Sequence, residues 1–85
     1  MAPSTGDLFA HMIAWRRRHL GLSQRDLADY LCAATGRATL TRHEVSRYER
    51  GLRLPRGPIL AAMAICLDLP LPVLQASAAK QRAGR

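Results

Sequence analysis

The chain has 85 residues, which is enough for one domain with one modest hydrophobic core. Hydrophobic residues make up 48% of the sequence and charged residues 22%, so the composition is that of a globular protein and excludes a disordered body. The formal net charge of +7 favours a polyanionic partner such as nucleic acid, although basic residues also serve solubility alone.

The basic charge is concentrated in the middle of the chain. Residues 16–56 contain 10 arginines and 4 acidic residues, whereas residues 57–79 contain one charged residue, Asp68. The middle is therefore predicted to form a basic surface, and the last third to form core or interface.

Several functional classes are disfavoured by the residue pattern. Cys32 and Cys66 have no metal-ligand spacing, and we interpret them as reduced core thiols. There is no nucleophile–base grouping, phosphate loop or metal-ligand cluster, so we expect neither an enzyme nor a cofactor. The apolar stretch 58–67 is too short to span a membrane, and the charge order of the N-terminus is not that of a signal peptide. We therefore expect a cytoplasmic protein with no membrane partner.

The first two predicted elements are helices. Apolar residues recur at helical spacing without strand-like alternation, so the fold class is predicted to be all-α. The first helix is predicted over residues 5–19, starting at Thr5. The second is predicted over residues 23–34, because Ser23-Gln24-Arg25-Asp26 resembles a capping box and Gly36 stops the helix.

Three further helices are predicted. The third begins at Thr41, where Thr41 and Glu44 match the capping-box spacing, and ends at Gly51. The fourth covers residues 58–69, and the fifth begins near Pro72. We expect a domain over residues 1–79 and a flexible basic tail over residues 80–85.

The third predicted helix has one face that carries only basic and polar side chains. On a helical wheel, five such residues fall within an arc of about 140°, and both acidic residues of the helix point elsewhere. This sorting predicts a face that fits a DNA major groove. We expect Arg42 and Arg47 to contact guanine. His43 would either contact DNA or be solvated. The five residues are Arg42, His43, Ser46, Arg47 and Arg50.

Three short motifs occur in order along the middle of the chain. They are Arg17-x-x-x-Gly21-Leu22-Ser23-Gln24-x-x-Leu27-Ala28, then Val45-Ser46-x-Tyr48-Glu49-x-Gly51, then Pro55. Together they resemble the phage-repressor (lambda/Cro-like, or xenobiotic-response-element) helix-turn-helix family over residues 13–74. The resemblance implies a lambda-repressor-like DNA-binding domain, a compact five-helix bundle, and a repressor-type regulator of transcription from a bacterium, phage or plasmid.

The resemblance also implies roles for individual residues. Gln24 would contact a phosphate and brace the third helix, and Arg17 and Glu49 would form an ion pair between the first and third helices. A lone carboxylate on the inner face of the third helix would be costly, so Glu49 needs such a cation. Arg16 and Arg18 would then lie at the surface. The implied DNA-contacting residues are Gln24, Arg42, His43, Ser46, Arg47, Arg53 and Arg56, the last two through backbone phosphates. Arg50 lies near the end of the third helix, and we expect it to contact a phosphate rather than a base.

The chain departs from the family between the second and third helices. The family has a tight turn there, whereas the connection over residues 32–40 of this chain is about seven residues longer. We expect a lengthened second helix followed by a loop over residues 36–39. Arg37 in this loop would contact a phosphate or remain solvated.

The fourth predicted helix is apolar nearly all round and needs cover on more than one side. A second copy of the chain would provide it through the fourth and fifth helices, with Leu71, Val73 and Leu74 contributing. Alternatively, the fifth helix folds back and completes a monomer core. Two functions fit the sequence: a homodimeric regulator that binds double-stranded DNA, and an antitoxin or adaptor that chiefly binds a protein.

Overall fold

The structure, a computed structural model, describes residues 8–84. In this range the chain forms five helices and no strand, which confirms the predicted all-α fold. The predicted start of the first helix at Thr5 lies outside the described residues. The helices are α1 (Leu8–His19), α2 (Gln24–Thr35), α3 (Arg42–Glu49), α4 (Gly57–Leu67) and α5 (Leu71–Ala83).

Helix α2 begins with the predicted capping box. The Ser23 hydroxyl accepts a hydrogen bond from the Asp26 N–H at 2.9 Å, and the Asp26 carboxylate accepts one from the Ser23 N–H at 2.8 Å. These bonds pair two backbone donors that a helix start leaves free. The same two bonds, from the Ser23 backbone first and its hydroxyl second, lower the pKa of Asp26.

Helix α3 begins where it was predicted to begin but without the predicted cap. Thr41 is extended, with φ −111°, and makes no side-chain capping bond. The Glu44 carboxylate instead binds Arg47 and Arg53. The prediction of a capping box at Thr41 is therefore wrong, because two arginines hold the carboxylate that would complete it.

The long connection between α2 and α3 follows the predicted course. Helix α2 continues to Thr35 and ends at Gly36, whose φ of 72° lies in the left-handed region that favours glycine. Leu40 is 7% exposed and returns the chain to the core, and the Cys32 thiol donates to its carbonyl at 2.9 Å. Residues 37–39 between these anchors are exposed. The lengthened second helix and the loop are thus confirmed.

The hydrophobic core draws side chains from every helix. Helix α2 packs against α3 and α4, while α1 packs against α3, α4 and α5. The core therefore holds α3 from the inside and leaves its other face in solvent. The fully buried apolar residues include Phe9, Ile13, Leu27, Leu31, Val45, Met63, Leu67 and Leu74.

Helix α5 folds back against α1 and α4, so it covers much of the apolar surface of α4. Leu74 is fully buried and Ala78 is 3% exposed. Leu74 is therefore inside the core of one copy, and its expected contribution to a dimer interface is wrong. Two large apolar side chains of these helices stay exposed, Ile65 at 72% and Val73 at 45%.

The end of α5 also differs from the sequence-based expectation. The helix continues to Ala83, so residues 80–83 are helical where a frayed tail was predicted. Gln81 explains the difference, because it falls on the same inward face as Leu74 and Ala78 and is 1% exposed. Within the described residues, neither polar atom of its amide has a hydrogen-bond partner.

Candidate nucleic-acid interface

Helix α3 is anchored by its apolar side. Val45 is fully buried and Tyr48 is 2% exposed, so both belong to the core. Helices α2 and α3 pack together, and Ala28 on α2 is 2% exposed. A methyl side chain at this position lets two helix backbones approach closely. The orientation of α3 is consequently set by its contacts with the core, and its opposite face is free to bind a ligand.

A buried ion pair ties α3 to α1. The Arg17 Nε lies 2.6 Å from Glu49 Oε2, and Arg17 Nη2 lies 3.0 Å from Glu49 Oε1. The two side chains are only 10% and 5% exposed, respectively. Arg17 Nη1 also donates to the Leu22 carbonyl at 2.8 Å. The hydrogen bond with Glu49 raises the pKa of Arg17, and burial offsets part of that rise.

Gln24 joins this cluster from the first turn of α2. Its amide nitrogen donates to Glu49 Oε1 at 3.1 Å. Three helices thus meet at one carboxylate, with a partner from α1 and another from α2. The bracing role that the resemblance implied for Gln24 has a direct geometric counterpart in this bond.

The outward face of α3 carries the residues that the helical wheel placed there. Arg42, His43 and Arg47 are exposed, and Ser46 is half-buried. Val45 and Tyr48 face inward on the other side. Long hydrogen-bond donors on either side of a short serine give this face a shape that fits a DNA major groove, where base edges present acceptors.

Glu44 departs from the expected sorting of charge. Its Oε1 lies 3.0 Å from Arg47 Nη1, and its Oε2 lies 3.0 Å from Arg53 Nε. The face was expected to be free of acids, yet one carboxylate binds a residue of that face. The spacing of Glu44 and Arg47 along the helix could have indicated this pair, but the third member comes from the following loop.

The remaining predicted contact residues lie at and after the end of α3. Arg50 is exposed, and its Nε donates to the Ser46 carbonyl at 3.4 Å, near the negative end of the helix dipole. Arg53 is 60% exposed by side chain despite its ion pair, and Arg56 is exposed at the start of α4. The structure brings Arg53 close to α3 through Glu44, whereas Arg50 directly follows the last residue of α3.

Two concave regions flank the start of α3. One is lined by Arg37, Arg53 and Arg56, with Glu44 and Tyr48 at its wall. Burial raises the pKa of Tyr48 to about 12, with a smaller contribution from Glu44. Arg37, left open between phosphate contact and solvation, therefore shares a surface with two predicted phosphate-contacting residues.

The second concave region lies between α2 and α3. Arg25, Arg42 and His43 line it, together with Asp29. Arg25 is exposed and was not singled out from the sequence. Its position in the first turn of the helix that also carries Gln24 was the signal that could have found it.

Arg16 has a structural role that the sequence did not reveal. Its Nε donates to the Leu67 carbonyl at the end of α4 at 2.8 Å, and Nη2 lies 3.7 Å from Asp68. The side chain of Arg16 is 21% exposed, so it is half-buried where full exposure at the surface was expected, whereas Arg18 is exposed. A cation at the last carbonyls of α4 stabilises that helix end.

Residues 8–84 contain no group of three or more histidine, cysteine or acidic side chains arranged to hold a metal ion. None of the helices formed by these residues has the length and apolarity needed to cross a membrane.

A family model described as helix-turn-helix matches residues 13–74. The match covers most of the chain, so the protein belongs to this family, and the resemblance drawn from the three motifs is confirmed. Membership implies that the domain binds DNA. Neither the search of curated proteins nor that of solved structures gave a match.

Proposed function

Since the chain belongs to the helix-turn-helix family, we propose that it is a sequence-specific, repressor-type regulator of transcription that places α3 in the major groove of double-stranded DNA. The observation that carries this proposal is the division of α3 into two faces. Arg42, His43 and Arg47 point into solvent, whereas Val45 and Tyr48 are buried. A helix held so firmly on one side presents its other side as a rigid reading surface.

In this proposal the outward residues of α3 read base edges. Arg42 and Arg47 each present a guanidinium fork that can donate to the O6 and N7 atoms of guanine. Ser46 lies between them and is short enough for the helix to approach the bases closely. His43 donates to a base or to a nearby phosphate.

A second set of residues holds the DNA backbone. Arg50, Arg53 and Arg56 surround the end of α3 and the loop that follows, and Arg37 extends the same basic surface. Gln24 uses one amide hydrogen on Glu49, and its second amide hydrogen remains for a phosphate. These contacts supply affinity and register but no sequence information.

Selection of bound sequences from a random DNA pool tests the proposal. We expect a preferred sequence, and Arg42→Ala and Arg47→Ala should each lose about 1–3 kcal/mol of discrimination at one base pair. Arg53→Ala should weaken binding to all sequences about equally and reduce its salt dependence. Arg82→Ala, which removes an exposed arginine from α5, is the matched control and should leave discrimination unchanged.

The proposal fails if both α3 variants bind the selected sequence with wild-type discrimination. An absence of any selected sequence, together with a tight stoichiometric protein partner, would favour the antitoxin or adaptor function instead.

We also propose that the protein acts as a homodimer through α4 and α5. Ile65 is 72% exposed on α4 and lies in an apolar concavity with Leu69 and Leu71. A two-fold dimer would match half-sites about one helical turn of DNA apart. Sedimentation at micromolar concentration, with and without the selected DNA, should show a dimer that Ile65→Glu abolishes. A monomer under both conditions would refute this part of the proposal.

The proposed site of action is the bacterial cytoplasm, on the nucleoid. We propose neither catalysis nor a cofactor, because the residues assigned to α3 and its surroundings are hydrogen-bond donors suited to an anionic polymer.

A further inference from the structure

One carboxylate, that of Glu44, organises two of the proposed DNA-contacting arginines. Each of its oxygens binds a different guanidinium at 3.0 Å, one on α3 and one in the loop after it. The Glu44 side chain is only 18% exposed, while Arg47 and Arg53 are 51% and 60% exposed. The carboxylate therefore sits beneath the two arginines, and their guanidinium groups remain open to solvent.

The arginines keep enough donors to bind DNA while Glu44 holds them. A guanidinium has five N–H donors, and the contact with Glu44 uses the Nη1 group of Arg47 and the Nε of Arg53. Nη2 and Nε of Arg47 are left for an outside acceptor, and so is the far edge of Arg53. Glu44 and a base edge can consequently be bound by Arg47 at the same time.

Fixing these side chains has a thermodynamic consequence. A free arginine loses rotamer entropy when it binds, and an arginine that is already oriented loses less. The buried Tyr48 lines the same concavity as Glu44 on the side of the core, and its phenol interacts with the Glu44 carboxylate. Glu44, Arg47 and Arg53 thus form a three-residue clamp, in which the two arginine side chains are oriented before DNA binds.

The charge of Glu44 has the opposite effect on contacts that do not depend on geometry. One negative charge next to two arginines reduces the attraction of this surface for the phosphates of any DNA. A base contact that depends on orientation gains from the clamp, whereas general phosphate attraction is weakened by it. These two effects together widen the gap between specific and non-specific binding.

We propose that Glu44 is a specificity-determining residue, which positions Arg47 for base reading and weakens attachment to DNA of any sequence. The inference rests on the proposed function, in which Arg47 reads a base. A plain ion pair between neighbouring turns of an exposed helix would add little to stability and would leave discrimination unaffected.

The test measures Glu44→Gln on the selected DNA sequence, on its single-base variants and on unrelated duplex. We expect discrimination at the base pair read by Arg47 to fall about fivefold to tenfold. Affinity for unrelated duplex should rise about threefold at low salt, since the net charge increases by one. Glu44→Ala removes both contacts without adding an amide and should give the same two changes. Circular dichroism and thermal unfolding establish that each variant is folded.

Asp68→Asn is the matched control, because it makes the same change in charge at the end of α4. Asparagine also tolerates the left-handed conformation of this residue, whose φ is 53°. Asp68→Asn should leave discrimination unchanged. In an Arg47→Ala background, Glu44→Gln should cause no further loss of discrimination, because the side chain that it positions is gone.

The outcomes separate the two proposals. If Arg47→Ala itself leaves discrimination intact, the assignment of Arg47 to base reading is wrong. If Arg47→Ala lowers discrimination but folded Glu44→Gln and Glu44→Ala keep it, Glu44 is not a specificity determinant. An equal loss in Asp68→Asn would also overturn the inference, since it would show an effect of net charge alone.

Discussion

Glu49 carries its charge at a junction of three helices, where a carboxylate without partners would be strongly destabilising. Arg17 supplies two donors from α1 and Gln24 supplies a third from α2. The cluster satisfies the buried carboxylate and also joins the helices that orient α3. Stability and the proposed DNA reading by α3 are therefore linked at this residue.

Replacing Arg17 by methionine should lower the free energy of unfolding by about 3–5 kcal/mol, because it leaves Glu49 buried without its cation. Chemical denaturation followed by circular dichroism measures the change. The double variant Arg17→Met/Glu49→Met should recover much of the loss, since neither charge then remains. A loss below about 1 kcal/mol in the single variant would mean that the pair behaves as an exposed one.

The raised pKa of Tyr48 predicts that the protein loses stability in alkaline solution. Its pKa of about 12 in the folded protein lies above the value of about 10 that is usual for an unfolded chain. The folded state thus retains the phenol proton more strongly, so the stabilisation is complete below pH 10 and is lost as the pH rises towards 12. The loss should be about 2–3 kcal/mol over that interval.

Denaturation at a series of alkaline pH values tests this expectation, with Tyr48→Phe as the reference that lacks the titrating group. In a Tyr30→Phe background, the ultraviolet absorbance of tyrosinate reports on Tyr48 alone, since the chain has 2 tyrosines. The prediction is contradicted if the wild-type protein and Tyr48→Phe lose stability in parallel.

At the scale of elements, the extended α2 depends on the conformation of Gly36, the residue that caps its C-terminal end. Gly36 has φ 72° and an open environment, with no atom within 4 Å of the position that a Cβ would take. Gly36→Ala should therefore cost about 1 kcal/mol through the backbone alone, and Gly36→Asn should cost less.

Thermal unfolding should detect this cost as a decrease in Tm of about 4–8 °C. Gly57→Ala is the matched control, because Gly57 also has open space around a Cβ but lies in the first turn of α4 without a positive φ. Equal shifts for the two variants would show that the backbone conformation of Gly36 is not the cause.

The elements also show which features could be predicted from the sequence. The capping box at Ser23 was predictable because both partners lie within three residues of each other. The box at Thr41 was not, because Arg53 from a later loop competes for Glu44. Local patterns therefore predict the capping bonds of a helix start only where no distant side chain competes for the capping group.

The same distinction applies to the candidate site. The helical wheel correctly placed Arg42, His43 and Arg47 on the exposed face of α3, since a period of 3.6 residues is a local property. Arg17 and Glu49 are 32 residues apart, and only the family resemblance paired them. Neither approach could predict the contact of Arg16, because its partner is the backbone carbonyl of Leu67. Every residue has such a carbonyl, so the residue type does not indicate which one is bound.

At the scale of the whole molecule, α5 closes the core of a single copy. Its inward face ends at Gln81, which is 1% exposed and whose amide has no hydrogen-bond partner within residues 8–84. A buried amide without partners is destabilising relative to an apolar side chain of similar size. The last turn of the domain is therefore less stable than its packing would allow.

Gln81→Leu should raise the free energy of unfolding by about 1 kcal/mol, because it keeps the volume and removes the unpaired polar atoms. Denaturant titration measures the gain. Lys80→Leu, a change at the exposed neighbouring position, should have little effect and serves as the control. A destabilised Gln81→Leu variant would show that the amide is satisfied in solution.

Because Leu40 is anchored in the core, the position of α3 does not depend on the length of the loop before it. Residues 37–39 are exposed between Gly36 and the buried Leu40, and the Cys32 thiol holds the Leu40 carbonyl. Because the entropy of loop closure grows only logarithmically with length, extra residues inserted here would change the free energy of folding very little. The segment is thus an insertion point beside the proposed DNA-reading helix, where a peptide can be added or lost by genetic drift or by design without rotating α3.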